Sequence, residues 1–167
     1  VPEIGCTCPV CTSTDPRDNR LRASSLLHTD DAVILIDCGP DFREQMLRAS
    51  SFEKIDGVLV THEHYDHVGG LDDLRPFGRF ADIPIYSDAY TAAHLRARMP
   101  YCFVDKVYPG VPRIYLQEVE AGEGVPHHPT GRLAFPGVHG RLPHLGYPLC
   151  GPVWEINAFV QLARGDY

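Results

Sequence analysis

Two short runs in this chain of 167 residues concentrate side chains that can do chemistry: Cys6-x-Cys8-x-x-Cys11 and His62-x-His64-x-Asp66-His67. Three thiols within six residues suit one tetrahedral zinc better than they suit mutual disulfides. Reduced thiols and a disulfide are the competing readings, and the fourth zinc ligand is unfilled. Six cysteines would also allow three disulfides in a secreted protein, but this spacing argues against it. Cys38 follows an apolar run and Cys102 sits between aromatics, so both read as buried residues.

The second run follows Val58-Leu59-Val60-Thr61, a short buried strand. In extended backbone His62 and His64 point to one side and can chelate one ion. Asp66 and His67 come after the chain turns, and could hold a second ion. Two ions roughly 3.5–4 Å apart clamp the attacking and leaving oxygens of a displacement at phosphorus. Nitrogen and oxygen donors favour zinc, with manganese or iron as alternatives. The bland reading is a polar loop at a strand end. Glu63 and Tyr65 alternate with the ligands and should face outward or orient the loop, while Gly69 and Gly70 suit close backbone approach. His28 and His94 read as ordinary surface or core histidines.

The elements that must position these groups are legible in part. Arg22 to Thr29 and Ala32 to Asp37 read as a hairpin about Asp30-Asp31, with Val33-Ile34-Leu35-Ile36 buried on both faces. Asp41 and Glu44 suggest a capping box for a helix burying Phe42, Met46 and Leu47. Leu71 to Phe80 is helix-like but interrupted by Pro76 and Gly78. Ile83 to Tyr86 reads as a strand that Pro84 should place at an edge. Asp88 can cap a helix that ends at Pro100, and Arg113 to Val119 alternates as a strand. Strands alternating with helices imply an α/β layered domain.

Composition sets the outer limits. Hydrophobic residues make up 44% and charged residues 22%, which is globular. A net charge of −7 weakens any case for binding duplex nucleic acid. No apolar run approaches the roughly 18 residues that span a bilayer, and no signal peptide opens the chain, so a cytoplasmic location without a membrane partner is expected. An anionic substrate would need a local positive centre, for which a metal ion is the candidate.

His-x-His-x-Asp-His after a buried strand resembles the metallo-β-lactamase superfamily, whose fold is an αββα sandwich. Gly5-Cys6-Thr7-Cys8-Pro9-Val10-Cys11, Leu35-Ile36-Asp37-Cys38-Gly39 and His67-Val68-Gly69-Gly70-Leu71-Asp72-Asp73-Leu74-Arg75 resemble one branch, the cyclic-phosphate phosphodiesterases of phosphonate breakdown. The resemblance covers residues 1 to about 120 and returns at His139-Gly140-Arg141-Leu142-Pro143 with Leu145-Gly146-Tyr147. It implies that His62, His64 and His139 hold one ion and that Asp66 and His67, the catalytic pair, begin a second site. It implies Asp37 as a support behind the metal loop and a structural zinc on Cys6, Cys8 and Cys11. The reading is one metallo-β-lactamase-like domain over residues 1–167 with a zinc knuckle at 5–12 inside it.

The chain departs from the family in lacking a glycine-rich strand before the knuckle, two strands over Gly124 to Pro136, and the second αβ half that brings a bridging aspartate. Such a shortened sandwich is expected to leave one sheet face uncovered. A fragment, a short form that forms a homodimer, and a tail supplying substitute ligands are the three readings. Asp166 is the candidate bridge, and His127 and His128 are candidates for the knuckle or the active site. His144 has no family counterpart.

The function expected is a metal-dependent phosphodiesterase acting on a small cyclic phosphate or nucleotide through a metal-bound hydroxide, with Arg75 or Arg141 on the phosphate. The alternatives are hydrolysis of a carbon centre, as in lactamases, lactonases and thioesterases, and a catalytically incomplete metal-binding or partner protein. A pyrroloquinoline quinone pathway protein shares such a knuckle.

Overall fold

Period-two apolar runs build one mixed sheet and decide which face each side chain serves. The computed structural model describes residues 1–29, 32–49, 52–105, 108–120, 135–139, 142–146 and 156–158. β1 (Ser25–His28) pairs antiparallel with β2 (Val33–Ile36), the expected hairpin; its Asp30-Asp31 turn lies outside the described residues. α1 (Phe42–Arg48) leads to β3 (Gly57–Leu59), which lies parallel to β2. After the short α2 (Tyr65–Val68) and a 3₁₀ helix (Leu71–Arg79) comes β4 (Ile83–Ser87), then α3 (Ala89–Arg98) and β5 (Ile114–Glu118). β6 (Phe135–His139) and β7 (Leu142–Gly146) form a separate two-stranded ribbon. β8 (Ile156–Ala158) completes a six-stranded sheet of order β5-β4-β3-β2-β1-β8.

Neighbouring residues on β1 to β4 divide between two cores, as the two-residue repeat requires. Leu26, Val33, Leu35, Val58, Val60, Ile83 and Ile85 join Phe42, Leu71, Leu74, Phe77 and Leu95 under the helices. Leu27, Ile34, Leu59, Tyr86 and Val119 face the other way and pack with Leu145 of β7. All of these second-face residues are buried, so the uncovered face expected of a shortened sandwich is not found at these positions.

Four local expectations are corrected. Asp41 does not close a capping box, because its carboxylate accepts the Arg22 backbone N–H and pairs with the Arg22 guanidinium, both at 2.8 Å. The buried face of α1 is Phe42 and Gln45 with Met46 beside them, and Leu47 is 69% exposed. Five residues from Phe42, Leu47 points well off that face at 100° per residue. Leu71 to Arg79 is one unbroken 3₁₀ helix that keeps Pro76, and Leu71, Leu74 and Phe77 recur at its three-residue period. Finally, β4 is interior. Its ladder with β3 begins at Ile85, so the missing N–H of Pro84 falls outside that pairing. Among the described residues no helix is long and apolar enough to cross a membrane.

Candidate metal centre

Strand β3 ends in a loop held from three sides. Val60 N–H donates to the Tyr86 carbonyl at 2.9 Å, continuing the contact with β4. Asp37 N–H donates to the Leu59 carbonyl, and Thr61 N–H returns to the Asp37 carboxylate, each at 2.9 Å. Cys38 N–H reaches the His67 carbonyl and Gly70 N–H reaches the Cys38 carbonyl at 2.7 and 2.8 Å, stitching the end of β2 to α2. This stitching leaves no room for side chains. A Cβ on Gly39 would stand 2.2 Å from the Asp66 carbonyl oxygen, and one on Gly70 would stand 2.1 Å from that of Gly39.

On this scaffold His62, 5% exposed, places Nε2 3.1 Å from Nδ1 of His64. Two imidazole nitrogens on one tetrahedral zinc, at about 2.0–2.1 Å each, stand about 3.3 Å apart, so the pair fits a shared ion. The His67 ring lies 4.1 Å from that of His62, with Nε2 3.5 Å from Asp66 Oδ2. The other nitrogen of His67 lies 2.6 Å from Asp37 Oδ2. That bond to Asp37 raises the His67 pKa, against the opposing effect of burial. Asp37, 6% exposed, adopts φ 56°, a left-handed conformation that Asp tolerates better than most residues. Its carbonyl accepts the buried Ser24 hydroxyl at 2.7 Å. The donor chemistry fits a divalent metal: paired imidazoles, a carboxylate–imidazole pair beside them, and a carboxylate orienting one ring from behind.

His139 is the last residue of β6, opposite Leu142, and its ring lies outside the described side chains, as does that of His144. The hairpin that carries it reaches the metal loop, because Leu145 N–H donates to the Thr61 carbonyl at 2.9 Å. His127, His128, Arg141, Cys150, Asp166 and most of Gly124 to Pro136 fall outside the described residues. Arg75 pairs with Asp72. Its guanidinium also grips the Gly110 carbonyl, and it lines a cleft of about 560 Å³ with Asp82, Tyr108 and Ile114, by the N-terminal ends of β4 and β5. Tyr65 faces out, as expected, but Glu63 is partly buried and its carbonyl accepts from Arg98 at 3.0 Å. Thr61 and Ser24 were not legible as site residues, since single hydroxyls carry no spacing signal.

The knuckle stands apart from this centre. Sγ atoms of Cys6, Cys8 and Cys11 lie within 4.8 Å of one another, and among the described residues theirs is the one group of three or more His, Cys, Asp or Glu donors gathered that tightly. Gly5 supplies the turn at φ 81°. Cys11 N–H donates to Cys8 Sγ at 3.4 Å and is the main cause holding the Cys8 thiol down at about 7. No disulfide joins the described cysteines.

Comparison with known proteins places these features in context. The Beta-lactamase superfamily domain matches residues 33–150. An octanoyltransferase of Porphyromonas gingivalis is 45% identical over 152 residues, 89% of this chain but 30% of that protein. A ribonuclease Z of Listeria innocua is 31% identical over 105 residues, 60% of this chain and 33% of that protein. Among solved structures, a diphosphatase from the PhnP family aligns with TM-score 0.74 and 36% identity, covering 89% of this chain and 56% of that one. The chain thus spans about a third of these two relatives and just over half of that structure.

Proposed function

This chain belongs to the Beta-lactamase superfamily, and on that premise we propose that it is part of a metal-dependent phosphodiesterase acting on a small phosphorylated substrate, a cyclic phosphate or nucleotide. The observation that carries the reading is the 36% identity to a PhnP-family diphosphatase across a stretch that includes His62 to His67. Likeness to a ribonuclease Z points to the same reaction class.

In this reading His62, His64 and His139 hold one ion, Asp66 and His67 begin the second, and Cys6, Cys8 and Cys11 hold a structural zinc. Zinc is the proposed metal at both centres, with manganese or iron as alternatives at the active site. When bound, the active-site metal supplies a Lewis acid for phosphate oxygens and acidifies a water to serve as nucleophile at neutral pH. The protein's part is orientation. Asp37 fixes the plane of His67, and burial of His62 keeps bulk water from that imidazole. The closed backbone packing at Gly39 and Gly70 holds Asp66 and His67 in register with the pair. Asp66, with 56% of its side chain exposed, is placed to meet substrate or solvent.

The test is turnover of bis-para-nitrophenyl phosphate by the metal-loaded chain. Loss with chelator and in His64→Ala is the expected outcome; no turnover with metal bound at His62 and His64 would refute it. A second reading is favoured by the 45% identity to a segment of an octanoyltransferase: hydrolysis of an acyl thioester at a carbon centre. Hydrolysis of octanoyl-coenzyme A without phosphodiester turnover would select it.

A further inference from the structure

We infer that Thr61 is a positioning residue whose hydroxyl relays the Asp37 carboxylate to His62 and fixes which imidazole nitrogen carries the proton; this rests on reading His62 and His64 as metal ligands. The single hydroxyl proton of Thr61 sets the direction of each bond. Thr61 Oγ1 lies 2.9 and 3.0 Å from the two Asp37 oxygens, 3.0 Å from His62 Nδ1 and 3.5 Å from His67 Nδ1. A threonine hydroxyl has one proton to donate and lone pairs with which to accept. Asp37 already accepts the Thr61 backbone N–H and faces His67 Nδ1, so it is the acceptor for the hydroxyl proton as well.

The lone pairs of Oγ1 are then what His62 Nδ1 meets, and that nitrogen can pair with them only as N–H. His62 is thereby held as its Nδ1–H tautomer. Its Nε2 keeps a lone pair where it faces His64 Nδ1, 3.1 Å away. Asp37 imposes the same tautomer on His67 by direct contact at 2.6 Å. One carboxylate thus orients two imidazoles, the first by touch and the second through a hydroxyl. Burial of His62 and Asp37 makes water a poor substitute for that hydroxyl.

The backbone of Thr61 has a separate task. Its carbonyl accepts Leu145 N–H at 2.9 Å and so sets the β6–β7 hairpin against the metal loop. A side-chain substitution leaves that bond in place, which lets the hydroxyl be tested alone.

The experiment compares Thr61→Val and Thr61→Ser with the unaltered chain. Long-range proton–nitrogen NMR of the imidazoles, assigned with His62→Gln, reads the tautomer in chelator-treated protein. A dye competition reads the affinity for zinc alone. Thr61→Ser should keep Nδ1–H at His62 and stay within about threefold in affinity, whereas Thr61→Val should lose that preference and bind zinc about 10–100-fold more weakly. Unchanged tautomer and affinity in Thr61→Val overturn the inference. A cooperative urea-unfolding transition like that of the unaltered chain reports folding, and Thr61→Ala repeats the comparison if the valine variant does not fold. Failure of the unaltered chain to bind zinc in a manner that depends on His62 and His64 refutes the ligand reading instead, and the metal-free spectra still decide for or against Thr61.

Discussion

Asp37 combines three demands that no other residue type meets together. Its backbone sits at φ 56°, its carbonyl takes the Ser24 hydroxyl, and its carboxylate faces Thr61 and His67. Asparagine tolerates the left-handed region about as well, but carries no charge and offers one acceptor oxygen. Asp37→Asn should therefore fold normally and bind active-site zinc about 10–100-fold more weakly. Asp37→Ala should add a backbone penalty of roughly 1–2 kcal/mol. Urea unfolding and zinc competition, measured on both variants, separate strain from charge. Equal zinc affinity in Asp37→Asn and the unaltered protein would show that the carboxylate does not tune His67. Spacing makes the His-x-His-x-Asp-His run and the cysteines legible as candidates, and family resemblance does the same for Asp37. Thr61 and Ser24 are not legible, because their roles arise from contacts 24 and 13 residues distant in the chain.

Elements were readable wherever one period ruled. Runs such as Val33 to Ile36 and Val58 to Val60 are apolar throughout because both faces of the sheet are covered. In sequence the 3₁₀ helix reads as interrupted because Pro76 and Gly78 break an α-helical pattern, although Leu71, Leu74 and Phe77 keep its own three-residue repeat. Pro84 misled for a related reason: the sequence does not say where the β3–β4 ladder starts. Gly39→Ala drives a methyl onto the Asp66 carbonyl, so it should cost about 1–3 kcal/mol and lower active-site zinc while sparing the knuckle. Metal analysis beside a thermal melt checks both parts. The turn at Pro100–Cys102 is tied to the 3₁₀ helix by Tyr101, whose hydroxyl donates to Asp72 at 3.0 Å. Partial burial and this bond push the Tyr101 hydroxyl up to about 12, whereas an unfolded tyrosine titrates near 10. Between those values the unfolded chain has released a proton that the folded chain keeps, so stability falls as pH rises. Tyr101→Phe should flatten that alkaline limb, and a slope identical to the parent's would assign it to other groups such as Cys102.

At the scale of the whole molecule, a dimer was expected because half a sandwich should leave one sheet face bare. Leu27, Ile34, Leu59 and Tyr86 on that face are buried, whereas Tyr115 on the edge strand β5 is 47% exposed. What the molecule does divide is its two candidate metal centres. The knuckle lies in a turn-rich segment fastened to the body at Arg22, whose backbone N–H and guanidinium meet Asp41 and whose carbonyl accepts Gln45 Nε2 at 2.8 Å. The histidine centre is fastened independently, through β2, β3 and the hairpin that donates to Thr61. Loss of the knuckle's zinc should therefore loosen the chain only as far as that Arg22 clamp. Cys8→Ser removes a thiol inclined to ionise, because the Cys11 N–H favours its thiolate. We expect this variant to lose one zinc equivalent, to become sensitive to protease within residues 1–21, and to keep zinc at His62 and His64. His64→Ala should do the converse, with its N-terminal segment as protected as in the parent. Metal content and limited proteolysis of the two variants, read together, decide the matter. Loss of all zinc from Cys8→Ser would mean that the knuckle holds the histidine loop in shape, and that the Arg22 clamp does not insulate one centre from the other.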